Sequence, residues 1–177
     1  MKTVAMFGSA RPTSDLPIYT ATTEAAAMLV EGGWRVCTGG GPGLMEAANK
    51  GAKEACQSDS CSFGYSIFLP FEAETNEHVQ EDTHHKTFFT RLEQFADADA
   101  FIALPGGIGT QLEILTVLQL MQVGHMDHKP LILVGPMWKK IFERTGSYLL
   151  SEAYICEKDL DLWRYANTPQ EAARLLL

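Results

Sequence analysis

Apolar residues along this chain collect in short unbroken runs, and between the runs lie longer stretches of helical periodicity. Thr3–Gly8, Trp34–Thr38, Phe63–Leu69, Ala100–Leu104 and Leu131–Val134 read as strands. The last is apolar at every position, the pattern of a strand covered on both faces. Helices are predicted from a Ser14 or Asp15 cap and Pro17 to about Glu31, from Gly43 to Ala55, and from His84 to Ala96. Two more are predicted from Thr110 to Val123 and from Pro136 to about Leu150. Gln57–Ser62 is a polar connection. Pro70–Thr83, with Glu72, Glu74, Glu77, Glu81 and Asp82, is acidic and aperiodic and reads as a surface loop forming a lid or rim. The tail carries a weak strand around Leu160–Tyr165, then the capping box Thr168-Pro169-Gln170-Glu171, which opens a helix to Leu177. This alternation predicts an α/β fold: a Rossmann-like open parallel sheet with helices on both faces, one domain over residues 1–177.

Two strand-to-helix turns are rich in glycine. The first is Gly39-Gly40-Gly41-Pro42-Gly43-Leu44-Met45-Glu46, and the second is Pro105-Gly106-Gly107-Ile108-Gly109-Thr110-Gln111-Leu112-Glu113. Each reads Gly-Gly-x-Gly and is expected to place a glutamate in the first helical turn. Bare N–H groups at a helix start attract anions, and glycine lets a phosphate approach the backbone. In a sheet of order 3-2-1-4-5 the two turns flank Gly8-Ser9 at the end of the first strand, about 10 Å apart at ordinary strand spacing. That gap suits a nucleotide lying across the switch point. Gly8, Ser9, Gly40, Gly41, Gly43, Glu46, Gly106, Gly107, Gly109 and Thr110 are therefore the expected binding residues, and Ser9 and Arg11 follow the first strand directly.

Composition narrows the partners. The 177 residues are 46% hydrophobic and 20% charged, the balance of an ordinary globule. A net charge of −8 argues against a nucleic-acid partner. Met1–Phe7 is too short for a signal segment and no apolar run reaches membrane length, so a cytoplasmic location and no membrane contact are expected. Cys37 reads as a core residue, and the pair Cys56 and Cys61 is expected to stay reduced in that compartment. His78, His84 and His85 fall in no metal-ligand spacing, so no metal is expected. Lys50 and Lys86 have no context for a Schiff base, and Gly8-Ser9-Ala10-Arg11 is not a dinucleotide fingerprint. Leu112, Ile114, Leu115, Val117, Leu118, Leu120, Met121 and Val123 make their helix apolar nearly all round, which together with Phe88–Phe95 predicts a homodimer interface.

The stretch Gly39–Ala52, taken with Pro105–Thr110 and Glu113, resembles the LOG ("Lonely guy") family, whose members are often labelled lysine decarboxylases. The resemblance covers Gly8 to about Val134. It implies a Rossmann-like, usually dimeric, cofactor-free enzyme that splits a nucleoside 5′-monophosphate, AMP-like or a cytokinin riboside monophosphate, into free base and ribose 5-phosphate. Arg91 and Glu113 then occupy the catalytic positions. Three departures stand out: Leu92 follows Arg91 where cytokinin-type members carry lysine, the first turn is shorter than theirs, and Arg91 sits about one residue closer to the Pro105-Gly106-Gly107 strand than the family pattern implies. The related molybdenum-cofactor carrier proteins share much of this pattern, so the alternative is a non-catalytic carrier or sensor of a phosphorylated ligand. Chemically, a ribosyl–base bond breaks through an oxocarbenium-like state, which needs a carboxylate near the anomeric carbon.

Overall fold

The computed structural model describes residues 1–58, 60–68 and 75–177. Its strands are β1 (Lys2–Phe7), β2 (Trp34–Thr38), β3 (Ser62–Ile67), β4 (Glu81–His85), β5 (Ala100–Ala103), β6 (Leu131–Val134) and β7 (Arg164–Ala166). Its helices are α1 (Pro17–Glu31), α2 (Leu44–Ala55), α3 (Phe88–Ala96), α4 (Ile108–Gln122), α5 (Pro136–Ser151) and α6 (Pro169–Arg174), with a 3₁₀ turn at Glu157–Leu162. The strands form one sheet in the order β4-β3-β2-β1-β5-β6-β7, and every pairing is parallel. From β1 the chain winds outward first through β2 and then, on the other side, through β5. The strand order therefore reverses at β1, and a crevice opens beyond its C-terminal end.

Apolar runs in the central strands follow from cover on both faces. Val4, Met6, Val36, Ile102, Ile132 and Val134 pack against Ala25, Leu29, Leu44, Ala48 and Ala172 of α1, α2 and α6. The alternate positions Ala5, Phe7, Cys37, Phe101, Leu131 and Leu133 meet Phe95, Ile114, Val117, Trp138 and Phe142 of α3, α4 and α5. Residues one apart on a strand point to opposite faces, so both must be apolar when helices lie on both sides. The indole N–H of Trp138, fully buried, donates to the Leu104 carbonyl at 2.9 Å, which removes the cost of burying it.

Five expectations need correction. The acidic loop read over Pro70–Thr83 contains the start of β4, whose residues are almost all exposed and pair only with β3. An edge strand with nothing to bury shows no apolar alternation. Residues 70–74 of that loop, with Glu72 and Glu74, lie outside the described residues, as does Leu69. The helix predicted from His84 starts at Phe88, where Thr87 caps it by accepting from the Thr90 N–H at 3.2 Å. Near the C-terminus, the strand expected at Leu160–Tyr165 is the 3₁₀ turn followed by β7. At α1 the N-cap is Leu16, without a side-chain bond, and Pro17 occupies the first helical position. Cys56 and Cys61 are joined as a disulfide. The end of α2 and the start of β3 bring their Cα atoms to 5.7 Å, within bridging range, a geometric fact that compartment reasoning does not contain.

Candidate active site

Both glycine turns and the β1 loop meet at the C-terminal edge of the sheet. Ser9 ties them together through its backbone: its N–H donates to the Pro105 carbonyl at 3.1 Å, and its carbonyl accepts from the Leu44 N–H at 2.9 Å. Gly8 lies buried between Leu44 and Leu104, so the β1 loop is a structural seam. The Ser9 hydroxyl accepts from the Arg11 N–H at 3.2 Å.

The first turn leaves β2 at Thr38, whose hydroxyl accepts the Gly40 N–H at 3.0 Å, and enters α2 at Leu44. Gly43 has φ +72°, and a Cβ there would lie 2.5 Å from the Ser9 carbonyl oxygen. Only glycine satisfies both demands. Glu46 sits in the first turn of α2, as expected, but accepts the Tyr19 hydroxyl of α1 at 3.0 Å. That hydrogen bond ties it to the α1–α2 contact.

The second turn leaves β5 and enters α4 at Ile108, two residues earlier than the periodicity indicates. Ile108 is 87% exposed, so its apolar side chain does not follow the buried stripe. The earlier start has a consequence for Glu113, which moves into the second turn of α4. The first turn of α4 contains no acidic residue, and its N–H groups stay electrostatically open to an anion. Among the described residues, a Cβ on Gly107 or Gly109 would meet nothing within 4 Å. Thr110 is buried, its side chain folded against Gly106.

Arg91 and Glu113 come together between these turns. Arg91, on α3, is 9% exposed and its Nε–H donates to the Tyr65 carbonyl at 2.7 Å. Its guanidinium lies 5.4 Å from the Phe95 ring and packs directly on the first turn: a Cβ on Gly39 would fall 1.9 Å from Nη2. Glu113 retains a little solvent contact, yet protein surrounds the carboxyl closely enough that burial pushes its pKa up to about 7. The nearby Arg91 charge pulls the other way without cancelling that rise. A carboxyl poised near neutrality can hold or give a proton near pH 7, which ordinary surface glutamates cannot do.

Sequence reasoning missed Gly39, Tyr65, Thr38, Asn49 and Asn76, all of which shape this site. Asn49 was detectable in principle, because it is a polar residue on the inward face that Leu44, Ala48 and Ala52 define. Asn76 and the Tyr65 carbonyl act through pairings far apart in sequence and leave no local signal. Among the described residues no group of three or more His, Cys, Asp or Glu could hold a metal ion. No described helix is long and apolar enough to cross a membrane.

The sequence matches a known family. The family model described as "Possible lysine decarboxylase" matches residues 45–176. The chain belongs to that family, the LOG family. Among relatives, the pyrimidine/purine nucleotide 5′-monophosphate nucleosidase of Escherichia coli K12 is 39% identical over 109 residues, 57% of this chain and 24% of its own. The chain thus spans about a quarter of that relative's length. The cytokinin riboside 5′-monophosphate phosphoribohydrolase of Mycobacterium tuberculosis is 29% identical over 140 residues, covering 76% of this chain and 71% of its own. The molybdenum cofactor carrier protein of Chlamydomonas reinhardtii superposes with a TM-score of 0.69 at 19% identity, over 99% of this chain and 96% of its own, a likeness of fold.

Proposed function

We propose that the protein hydrolyses the N-glycosidic bond of a nucleoside 5′-monophosphate, releasing free base and ribose 5-phosphate. The observation that carries the reading is a Glu113 whose pKa is raised to about 7 within electrostatic reach of Arg91, set one helical turn beyond an open, anion-favouring helix start. In this reading the 5′-phosphate sits on the N–H groups that open α4. The ribose then lies along the first two turns of the helix, with C1′ near Glu113. As the C1′–N bond lengthens, positive charge builds on C1′ and O4′, and the ionised carboxylate stabilises it. The bonding pair leaves with the base nitrogen. Water adds to C1′, and the proton it loses passes to the departing base, with Glu113 placed to relay it. Arg91 favours the ionised carboxylate, against the burial that raises its pKa, and adds positive charge beside the bound phosphate. Names of the relatives support the class of substrate, and AMP-like or cytokinin-type bases both remain within it.

A second reading is supported by Leu92, buried on α3 where cytokinin-type members carry lysine, and by the likeness to the molybdenum cofactor carrier. In that case the same cradle binds a phosphorylated ligand without cleaving it. Incubation with a panel of nucleoside monophosphates, followed by chromatography for free base, separates the two. Base released by wild type and not by Glu113→Gln supports the hydrolase; tight binding with no base supports the carrier.

The protein is proposed to work as a homodimer in the cytoplasm. Phe89, Ile108 and Leu115 are 83%, 87% and 55% exposed on neighbouring parts of α3 and α4. A groove of about 820 Å³ is lined by Phe89 and Leu115, with Leu92, Leu112 and Met126 also among its walls. Exposed apolar side chains clustered in this way support a partner surface.

A further inference from the structure

We propose that Asn76 is a positioning residue that locks the orientation of the Gly40–Gly41 peptide, so that the first glycine turn shows the ligand an N–H instead of a carbonyl. The inference rests on the reading above that this turn faces the phosphorylated ligand. Asn76 lies on the connection between β3 and β4, far from the turn in sequence. Its backbone N–H donates to the Gly40 carbonyl at 2.8 Å, and its amide Nδ2 donates to the carbonyls of Gly40 at 3.1 Å and Gly41 at 2.9 Å. In a planar trans peptide the C=O and the following N–H point in opposite directions. Pinning the Gly40 oxygen towards Asn76 therefore turns the Gly41 N–H to the opposite side of the peptide, away from Asn76. Pro42 follows and has no N–H, so nothing else in the turn offers a donor at that position.

The amide itself is held in one orientation. Asn76 Oδ1 accepts the His78 N–H at 3.1 Å, which leaves Nδ2 to face the turn. Nδ2 also reaches Asn49 Oδ1 at 3.1 Å. Asn49 is fully buried and fixed in turn: Oδ1 accepts from the Thr38 hydroxyl at 2.6 Å, and Nδ2 donates to Ser62 Oγ at 2.9 Å and to the Phe63 carbonyl at 3.2 Å. The chain of bonds thus runs from the sheet through Asn49 to Asn76 to the turn. A lock is needed because glycine sits on both sides of the peptide, and glycine lets such a unit rotate at little steric cost. A flipped peptide would aim a carbonyl oxygen at an anion.

Two variants test this by calorimetric titration with AMP and with ribose 5-phosphate, alongside thermal melting. Asn76→Asp keeps the shape but sets carboxylate oxygens against two carbonyls and Asn49 Oδ1; Asn76→Ala removes the donor. A hydrogen bond to a charged group corresponds to about 10- to 100-fold in affinity. The expected result is at least about tenfold weaker binding of both probes by Asn76→Asp, a smaller loss for Asn76→Ala, and cooperative melting in both, with kcat at saturation changed less than KM. Wild-type affinity in both variants overturns the inference. So does loss of cooperative folding in both, because a loop residue that only orients one peptide is dispensable for folding. Failure of the wild-type protein to bind either probe instead removes the reading of the site, and this inference with it.

Discussion

Replacing Glu113 by glutamine isolates the cost of ionising a buried carboxyl. Burial raises the Glu113 pKa from 4.5 to about 7. The folded protein therefore holds this proton more tightly than the unfolded chain does. Below pH 4.5 both states are protonated and the carboxyl costs nothing; the cost grows as pH rises towards 7 and is complete above it. A difference of roughly two and a half pKa units corresponds to about 3 kcal/mol, reduced to about 2–3 by the residual solvent contact of the group. Glutamine has nearly the same shape and no charge to bury. At pH 5 the wild-type and Glu113→Gln proteins should differ by less than about 1 kcal/mol from this source. At pH 8.5 the variant should be the more stable, and its Tm advantage should be larger than at pH 5 by roughly 5–8 °C for a domain of this size. Differential scanning calorimetry of both proteins across this range measures the effect. All other titrating groups are common to the pair, so they cancel in the difference. A Tm gap that stays constant, or narrows as pH rises, refutes the claim that Glu113 titrates near neutrality.

Further consequences concern the neighbours of that carboxyl. Arg91→Gln removes the charge that keeps Glu113 from rising further, so the midpoint of the kcat/KM profile should move above pH 7, with activity at neutral pH down by about 10² or more. An unchanged profile would mean that Arg91 does not act on Glu113. Gly39→Ala places a methyl group 1.9 Å from Arg91 Nη2 and should displace the guanidinium. Activity should fall by at least about tenfold while far-UV circular dichroism stays native, because an overpacking clash costs about 1–3 kcal/mol. Full activity in this variant would place the guanidinium elsewhere. Leu115→Glu puts a charge on the exposed face of α4, so light scattering should shift from a dimer to the 19.5 kDa monomer. A monomeric wild-type protein contradicts the dimer.

The elements legible in the sequence are those whose pattern is set by local burial. β1, β2, β5 and β6 appear as apolar runs because helices cover both faces, and α2 appears as a small-residue stripe packed on α1. β4 is illegible for the opposite reason: Glu81–His85 pairs at the edge, buries nothing and looks like loop. The glycine turns were visible as composition, and their joint placement followed from strand order. What the turns require was not visible. The need for glycine at position 39 comes from an arginine more than fifty residues away, and Asn76 acts by filling the back of a turn remote in sequence. Glu113 could be singled out by its motif, but its second-turn position and raised pKa depend on where α4 starts and what closes over it. The Cys56–Cys61 bridge depends on the approach of α2 and β3, which spacing alone does not give.

The most direct test is to follow base and ribose 5-phosphate together. With a nucleoside monophosphate that the wild-type protein accepts, the two products should appear in equal amounts, and Glu113→Gln should reduce both by about 10² or more at neutral pH. Release of nucleoside and inorganic phosphate, or equal release of base by wild type and Glu113→Gln, would contradict a glycosidic hydrolase built on Glu113.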